Sequence, residues 1–151
     1  MALESLVIDT NVLFSFFRKD SPTAAVITGG HAGTLKLFTP ELARTELKKY
    51  KPLICSKSGI LPEDFDLLLA LLEHFVEHIP FDEYKEQLTE AAALADKLTL
   101  NEKAEFFDDI DFFALSLTLH CPIWSNDKLL KKQQTVDVLS TGELLSKLDL
   151  P

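Results

Sequence analysis

Short apolar segments alternate with helical segments about five times along the chain of 151 residues. The first segment, SLVID, has no alternation of apolar and polar residues, which is typical of a strand buried on both faces. Strands of this kind that are separated by helices favour a parallel sheet with helices on both sides. The sequence therefore predicts an α/β fold: a three-layer α/β/α sandwich around a central, mainly parallel sheet of about five strands.

The boundaries of these elements follow from the apolar pattern and from the positions of Pro and Gly. Strands are predicted at residues 5–9, 35–39, 76–80, 122–125 and 136–140. Helices are predicted at residues 10–19, 22–28, 40–59 with a break near Pro52, 62–75, 81–99, 108–120 and 140–148. Ser140 and Glu143 have the spacing of a capping box. The weak link at 50–62 is too short to separate two domains, so we expect a single domain over residues 1–151.

The net charge of −9, from 15 basic and 24 acidic residues, argues against broad nonspecific binding of nucleic acid, which normally uses a basic face. It does not exclude a nuclease. Carboxylates that surround a metal site make a chain acidic, and bound cations then reverse the local field. The charge therefore points either to a protein that avoids nucleic acid or to one that meets it through metal ions.

The cysteine content and the apolar pattern bear on the cellular compartment. Cys55 and Cys121 lie far apart in the sequence, which is typical of reduced thiols in a cytosolic protein. We see no apolar run of about 18 residues, so no transmembrane helix is predicted. The N-terminal MALESLVIDT has no basic stretch before its apolar run, unlike a secretory signal peptide. We therefore expect a cytoplasmic protein without membrane contact.

Several acidic residues fall where an open parallel sheet binds its ligands, outside the carboxyl ends of the strands. Asp9 follows the first predicted strand, Asp127 follows the fourth, and Glu46 lies on the helix after the second. Three further acids begin the helix that returns to the fourth strand, Asp108, Asp109 and Asp111. Clustered carboxylates repel one another unless a cation neutralises them, and hard oxygen ligands select Mg²⁺ or Mn²⁺.

Each acid also has a simpler explanation when it is taken alone. Asp9, Asp108 and Asp109 would suit helix capping, and Asp111 would suit the first turn of a helix. Glu46 sits among charged residues, as on a solvated surface, and Asp127 lies in a turn-like SND sequence. One metal-binding cluster accounts for all of them at once, and we therefore prefer it.

Four stretches, VIDTNVL, TPELARTEL, DDIDFFALSLTLHCPIWSND and VDVLSTGELL, resemble the PIN-domain family in this order and spacing, from Leu6 to about Leu145. The resemblance implies a metal-dependent endoribonuclease whose catalytic acids are Asp9, Glu46, Asp109 and Asp127. Of these, Asp9, Asp109 and Asp127 would bind Mg²⁺ or Mn²⁺, with Asp111 as an auxiliary ligand. Matching without gaps favours Asp109 over Asp111 as the third acid, and the choice between them stays open. Three polar neighbours are expected to orient the carboxylates or metal-bound water, Thr10, Asn11 and Ser125.

The resemblance also implies an RNA substrate, an antitoxin protein as partner if the chain is a toxin, and a homodimer. The apolar helix FDLLLALLEHF is either the dimer interface or a core helix. The cations expected to contact RNA are Lys128, Lys131, Lys132 and Arg44, with Arg18, Lys19, Lys48, Lys49 and Lys51 as further candidates. The side chains of Phe14, Phe16 and Phe17 offer a stacking surface for bases, although packing in the core is the stronger expectation.

Two other functions compete with the nuclease. A catalytically inactive PIN-like module would bind RNA or protein partners through a degraded site. A phosphatase of the haloacid-dehalogenase type would use Asp9 as nucleophile, but it needs a second aspartate where this chain has Asn11. His74 and His78 have a spacing that can bind zinc on a helix, but we find no clear third ligand.

Overall fold

The computed structural model describes residues 3–29 and 34–148, which contain five strands and nine α-helices. The strands are β1 Ser5–Ile8, β2 Lys36–Pro40, β3 Val76–Ile79, β4 Ile123–Trp124 and β5 Val138–Leu139. The helices are α1 Thr10–Phe16, α2 Pro22–Gly29, α3 Leu42–Lys49, α4 Lys51–Ser58, α5 Pro62–Phe75, α6 Leu88–Ala93, α7 Leu100–Asp108, α8 Ile110–Leu119 and α9 Thr141–Lys147. Short 3₁₀ turns lie at Phe81–Glu83, Lys85–Gln87 and Lys128–Lys132.

All five strands form one sheet in the order β3-β2-β1-β4-β5, and every neighbouring pair is parallel. The central strand β1 pairs through Val7 with Phe38 of β2 on one side and with Ile123 of β4 on the other. The chain runs outward from β1 to β3 and then crosses back to β4. The order of the strands therefore reverses at β1 and β4, and a crevice at such a switch point is where open α/β sheets bind ligands.

Two apolar clusters cover the two faces of the sheet and make the three layers. Leu6 and Ile8 point to one face, where they pack with α1, α2, α3, α5 and α9. Val7 points to the other face and packs with α6, α7 and α8. Successive side chains of a strand alternate between faces, so the non-alternating apolar sequence of β1 is what a sheet covered on both sides requires. The predicted three-layer α/β/α fold is confirmed.

Two helix ends show how the sequence sets the boundaries. Helix α4 ends at Gly59, whose φ of 67° places it in the left-handed region that closes helices most easily with glycine. Helix α9 begins with the predicted capping box, in which the Ser140 hydroxyl accepts from the Glu143 N–H and the Glu143 carboxylate accepts from the Ser140 N–H. The break predicted near Pro52 falls at Tyr50 instead, and Pro52 occupies the first turn of α4, where proline costs no hydrogen bond.

The prediction of one helix over residues 81–99 is wrong. The structure has two 3₁₀ turns there, followed by the six-residue helix α6 and a further turn. The predicted helix 108–120 begins at Ile110, and α7 before it was not predicted. A capping box of Thr99 and Glu102 starts α7, and its spacing is visible in the sequence as TLNE.

Helix α5 is the apolar helix that was predicted either as core or as interface. It buries Phe65, Leu69 and Leu72, whereas Leu67 and Leu71 are exposed. The helix thus contributes to the core with one face and leaves leucines in solvent on another. Within residues 3–29 and 34–148, none of the helices has the length and apolar character needed to cross a bilayer.

Candidate active site

Asp9 lies at the point where the strand order reverses, directly after β1. Its carboxylate is buried, with the residue only 2% exposed. The Asp9 N–H donates to the Trp124 carbonyl at 3.1 Å, so the pairing of β1 with β4 fixes the backbone of this residue. Burial raises the pKa of Asp9, and the hydrogen bond from the Ser125 hydroxyl, together with the nearby backbone N–H groups of Asn11 and Thr10, opposes that rise.

Ser125 joins two of the predicted acids. Its hydroxyl donates to Asp9 Oδ2 at 2.7 Å and accepts from the Asp127 N–H at 3.1 Å. The Asp127 carboxylate in turn accepts from the Leu129 N–H at 3.0 Å, where it caps the 3₁₀ turn Lys128–Lys132. Because one buried hydroxyl bridges them, Asp9 and Asp127 lie on the same edge of the sheet although 116 residues separate Ser125 from Asp9.

Glu46 reaches the same edge from α3. Its Oε1 accepts a hydrogen bond of 3.1 Å from the Thr10 hydroxyl, which belongs to the residue after Asp9. The pKa of Glu46 is raised, first by burial and then by the negative charges of Asp9 and Asp111. The Thr10 hydroxyl therefore orients Glu46 in the way that the Ser125 hydroxyl orients Asp9.

Asp109 occupies the short link between α7 and α8. Burial, and after it the negative charges of Asp9, Asp127 and Glu46, together raise its pKa to about 7. Such charge effects require proximity, and the leading charges acting on Asp109 are negative. The four acids predicted as catalytic thus share one electrostatic neighbourhood, to which β1, α3, the α7–α8 link and β4 each contribute one.

Asp111 lies on the side of this neighbourhood nearer Glu46. Its Oδ2 accepts a hydrogen bond of 2.5 Å from the hydroxyl of Tyr84, a residue only 2% exposed. Burial and this carboxylate both raise the pKa of Tyr84. Tyr84 was not predicted from the sequence, and no spacing signal marks it, because its contact with Asp111 depends on the 3₁₀ turns that replace the predicted helix.

Asn11 differs from the other two predicted polar neighbours. Its backbone N–H lowers the pKa of Asp9, and its exposed side chain lines a groove between α1 and α4. Thr10 and Ser125, by contrast, contact carboxylates through their hydroxyls. The structure therefore gives Thr10 and Ser125 a side-chain contact with the predicted acids.

The donor set suits a hard divalent cation, because it consists of carboxylates whose charges repel one another. Across the described residues, no three Asp, Glu, His or Cys side chains converge into a complete metal cage. Mg²⁺ commonly keeps several waters and takes only one or two protein carboxylates. An ion at this edge would therefore need water or substrate to complete its shell, and the predicted set of Asp9, Asp109 and Asp127 with Asp111 stays a prediction.

The histidine pair does not form a zinc site. His74 ends α5 and His78 lies in β3, so the two are not on one helical face as the spacing had indicated. His78 Nδ1 lies 3.1 Å from the Val76 carbonyl, and its Nε2 is buried without a partner in the described part of the chain. Burial and the nearby Arg44 lower the pKa of His78.

The cations predicted to contact RNA are mostly engaged in ion pairs. Arg44 Nε lies 2.5 Å from Glu73 Oε1, and its Nη1 lies 3.8 Å from Glu41 Oε1. Lys131 pairs with Glu143, Lys132 pairs with Glu102, and Lys128 has no ion pair among the residues described. Exposed pairs of this kind contribute about 0–1 kcal/mol, so these side chains can exchange their partners for phosphates.

The phenylalanines considered for base stacking differ in exposure. Phe16, at the end of α1, and Phe17, directly after it, are buried in the core, as expected from core packing. Phe14 is half-buried and packs edge-on against Tyr50, with the ring centroids 5.8 Å apart. Only Phe14 of the three therefore remains within reach of a ligand.

Comparison with known proteins agrees with this architecture. The family described as PIN domain matches residues 7–144. The crystal structure of VapBC2 from Rickettsia felis bound to a DNA fragment from their promoter is similar in fold, with a TM-score of 0.60 over 90% of this chain and 98% of that chain. The identity to that structure is 15%, so the likeness concerns the fold alone. No curated protein matches the sequence significantly.

Proposed function

Because the chain belongs to the PIN-domain family, we propose that it is a metal-dependent endoribonuclease that hydrolyses RNA phosphodiester bonds. One observation carries the proposal: the charges of Asp9, Asp127 and Glu46 all act on Asp109, whose pKa burial and those charges raise to about 7. Four carboxylates from four elements would not be held together in this way for the stability of the fold, since like charges destabilise it. A bound cation would offset the repulsion between these carboxylates, which supports a metal-binding role.

In this proposal Asp9, Asp109 and Asp127 hold Mg²⁺ or Mn²⁺, with Asp111 as an auxiliary ligand, and Glu46 completes the catalytic set. When bound, the ion supplies an activated water and neutralises the charge that develops on the phosphate. Ser125 fixes the position of Asp127 relative to Asp9, and Thr10 orients Glu46 towards the same edge of the sheet. The proposed products carry 5′-phosphate and 3′-hydroxyl ends.

The proposed setting is a single cytoplasmic domain that functions as a homodimer without membrane contact. The family resemblance makes it either the toxin of a toxin–antitoxin pair, with an antitoxin protein as partner, or an RNA-processing factor. For the dimer, the exposed leucines of α5, Leu67 and Leu71, are the proposed interface.

A catalytically inactive module that binds RNA or protein is the second candidate. The lack of a complete three-ligand cage within residues 3–29 and 34–148 favours it, because an active centre often holds its metal ligands in place beforehand. The haloacid-dehalogenase alternative has no such support, since the family match covers residues 7–144 and Asn11 stands where the second aspartate is needed.

The decisive experiment is cleavage of a mixed RNA pool by the purified protein with Mn²⁺ and with EDTA. We expect cleavage only with Mn²⁺, and a loss of at least about 100-fold in Asp9→Asn and Asp127→Asn, because each removes a charge from the centre. Asp96→Asn, an exposed aspartate in the turn after α6, is the matched control and retains full activity. Absence of cleavage by the wild type with every divalent ion, together with normal RNA binding, would establish the inactive module instead.

A further inference from the structure

Tyr84 lies beyond the carboxyl end of β3, at the edge of the sheet where the acids lie. β3 ends at Ile79, whose carbonyl accepts from the Glu41 N–H at 2.8 Å, so β2 and β3 end side by side. The 3₁₀ turn Phe81–Glu83 follows, and the Tyr84 N–H donates to the Phe81 carbonyl at 3.1 Å as the turn closes. The carboxyl ends of parallel strands share one edge. β1, β2 and β4 each lead to one of the acids predicted as catalytic, and β3 leads to this tyrosine.

The ring of Tyr84 is fixed by the core. The residue is 2% exposed and belongs to the apolar cluster on the face of the sheet that α6, α7 and α8 cover. The ring of Phe81 packs edge-on against it, with the centroids 5.5 Å apart. A buried tyrosine hydroxyl needs a hydrogen-bond partner. That partner is Asp111, whose Oδ2 accepts from the hydroxyl at 2.5 Å, a length typical of a bond to an ionised carboxylate.

Tyr84 sets the direction of the Asp111 carboxylate. Asp111 lies in the first turn of α8 and is half-buried. Among the residues that the structure describes, no other hydrogen bond and no ion pair reaches this carboxylate. Its Oδ2 is therefore held, whereas its Oδ1 has no partner in this part of the chain. The charge of Asp111 raises the pKa of Glu46, so the carboxylate lies on the side of the acids.

Two other hydroxyls act on carboxylates of this edge in the same way. Thr10 donates to one oxygen of Glu46, and Ser125 donates to one oxygen of Asp9. With Tyr84 included, three acids of the edge each accept a hydroxyl from a different part of the chain, at one of their two oxygens. Outer hydrogen bonds of this kind orient the carboxylates that bind a metal ion and contribute to the affinity for that ion.

A purely structural contact is the alternative, in which Asp111 only satisfies the buried hydroxyl. An uncharged acceptor would do this without repulsion, whereas the charge of Asp111 acts unfavourably on Glu46. The charges of Asp111 and Glu41 also act on Tyr84 itself, so its hydroxyl faces a region of negative charge. A tyrosine that serves only the core gains nothing from this position, whereas a tyrosine that orients a ligand of a cation does.

We propose that Tyr84 is a positioning residue of the acidic centre: its hydroxyl holds Asp111 Oδ2 and so leaves Oδ1 to a divalent ion bound among the acids. Tyr84 touches neither the ion nor the substrate in this arrangement and acts only through Asp111. The inference rests on the proposed function, because it takes the acids as the site of that ion. It makes the turns after β3, which supply none of the predicted acids, part of the centre.

The test is the binding of Mn²⁺ to the purified protein without RNA, followed by the EPR signal of the free ion. Tyr84→Phe removes one oxygen atom and keeps the ring in the core. We expect it to bind Mn²⁺ at least about tenfold more weakly than the wild type, as is usual when an outer hydrogen bond to a ligand is lost. The matched control is Tyr50→Phe, the same change at the other of the two tyrosines, which is 39% exposed between α3 and α4. The control is expected to bind Mn²⁺ as the wild type does.

Two changes at Asp111 show whether Tyr84 acts through it. Asp111→Asn removes the charge, and adding Tyr84→Phe to it should weaken Mn²⁺ binding no further, since the hydroxyl then has no charged ligand to orient. Asp111→Glu keeps the charge but moves the carboxylate by one methylene, so it should also bind Mn²⁺ more weakly, without any change in the apolar cluster. Urea unfolding of each variant in EDTA records stability separately. A structural contact alone would lower the free energy of unfolding of Tyr84→Phe and leave its Mn²⁺ affinity unchanged.

Equal Mn²⁺ affinity of Tyr84→Phe and the wild type would overturn the inference. So would a loss from Tyr84→Phe that appears in full in the Asp111→Asn background, or an Asp111→Glu variant that binds as tightly as the wild type. RNA cleavage separates the inference from the proposed function. If Tyr84→Phe weakens Mn²⁺ binding but the wild type cleaves no RNA, Tyr84 keeps its role and the nuclease is removed. Mn²⁺-dependent cleavage with unchanged affinity in Tyr84→Phe removes only the inference, and a wild type that binds no Mn²⁺ removes both.

Discussion

The most constrained residue of the candidate site is Asp9. An ionised carboxylate that is 2% exposed is costly unless hydrogen bonds or a cation support it. The Ser125 hydroxyl donates to it, the nearby backbone N–H groups of Thr10 and Asn11 also lower its pKa, and Asp127 adds a repulsion. Metal binding at the same carboxylate removes that repulsion, so the residue is better suited to the metal-bound protein than to the free one.

Asp109 makes the stability of the metal-free protein depend on pH. Its folded pKa is about 7, against an ordinary value of 3.8, so between these pH values the folded state holds a proton that the unfolded chain has lost. Stability therefore falls as the pH rises from about 4 to about 7. Asp109→Asn removes this loss and is expected to be the more stable protein at pH 8, by at most about 4 kcal/mol at 1.36 kcal/mol per pH unit.

Urea denaturation in EDTA at about pH 4 and about pH 8 measures the effect. The increase in the free energy of unfolding of Asp109→Asn over the wild type should be largest at the higher pH and should nearly vanish at the lower one. Asp96→Asn, the exposed control, is expected to follow the wild type at both. With Mg²⁺ present, we expect the wild type to be more stable than Asp109→Asn, because the ion stabilises only a protein that can bind it. A gain of equal size at both pH values would contradict a raised pKa at Asp109.

At the scale of elements, the end of α4 depends on one glycine. Gly59 has a φ of 67°, and a Cβ there meets no atom within 4 Å, so only backbone strain opposes a side chain. We expect Gly59→Ala to lower the free energy of unfolding by about 1 kcal/mol. Gly29 ends α2 with equal space around it and without a positive φ, and Gly29→Ala should leave stability unchanged or raise it slightly. Thermal or urea unfolding of the two variants gives the comparison.

The elements also show which features of the fold could be predicted from the sequence. The strands could be predicted, because burial on both faces gives β1 a continuous apolar run. The capping box of α9 could be predicted as well, because it depends only on the spacing of neighbouring residues. The absence of a continuous helix over residues 81–99 could not be predicted, since the residues of this stretch favour a helix. Its 3₁₀ turns follow from burial of Tyr84 against Asp111, a contact between distant residues that local preference does not contain.

The candidate site divides in the same way. Asp9 and Asp127 were accessible to prediction because the carboxyl ends of parallel strands share one edge, and Glu46 because its helix starts from the same edge. The different surroundings of Asp109 and Asp111 were not, because they depend on the link between α7 and α8 and on the contact of Asp111 with Tyr84.

At the scale of the whole molecule, the surface of α5 bears on the proposed homodimer. Leu67 is 70% exposed and Leu71 lies one turn further along the helix, also exposed. If this face is the interface, Leu67→Glu buries a charge there and should convert the dimer to a monomer in light scattering. Leu100→Glu is the control, because Leu100 is 84% exposed on α7 and should have no effect. A protein that is monomeric before any substitution contradicts the proposed dimer.

The position of β4 beside β1 has a consequence for the folding of the chain. The Asp9 carboxylate meets the Ser125 hydroxyl across 116 residues, and β1 lacks its second neighbour until β4 arrives. Closing so long a loop raises the contact order and slows folding relative to helical proteins. A growing polypeptide on the ribosome therefore carries its first carboxylate long before its last, and the acidic centre assembles only once β4 has been inserted.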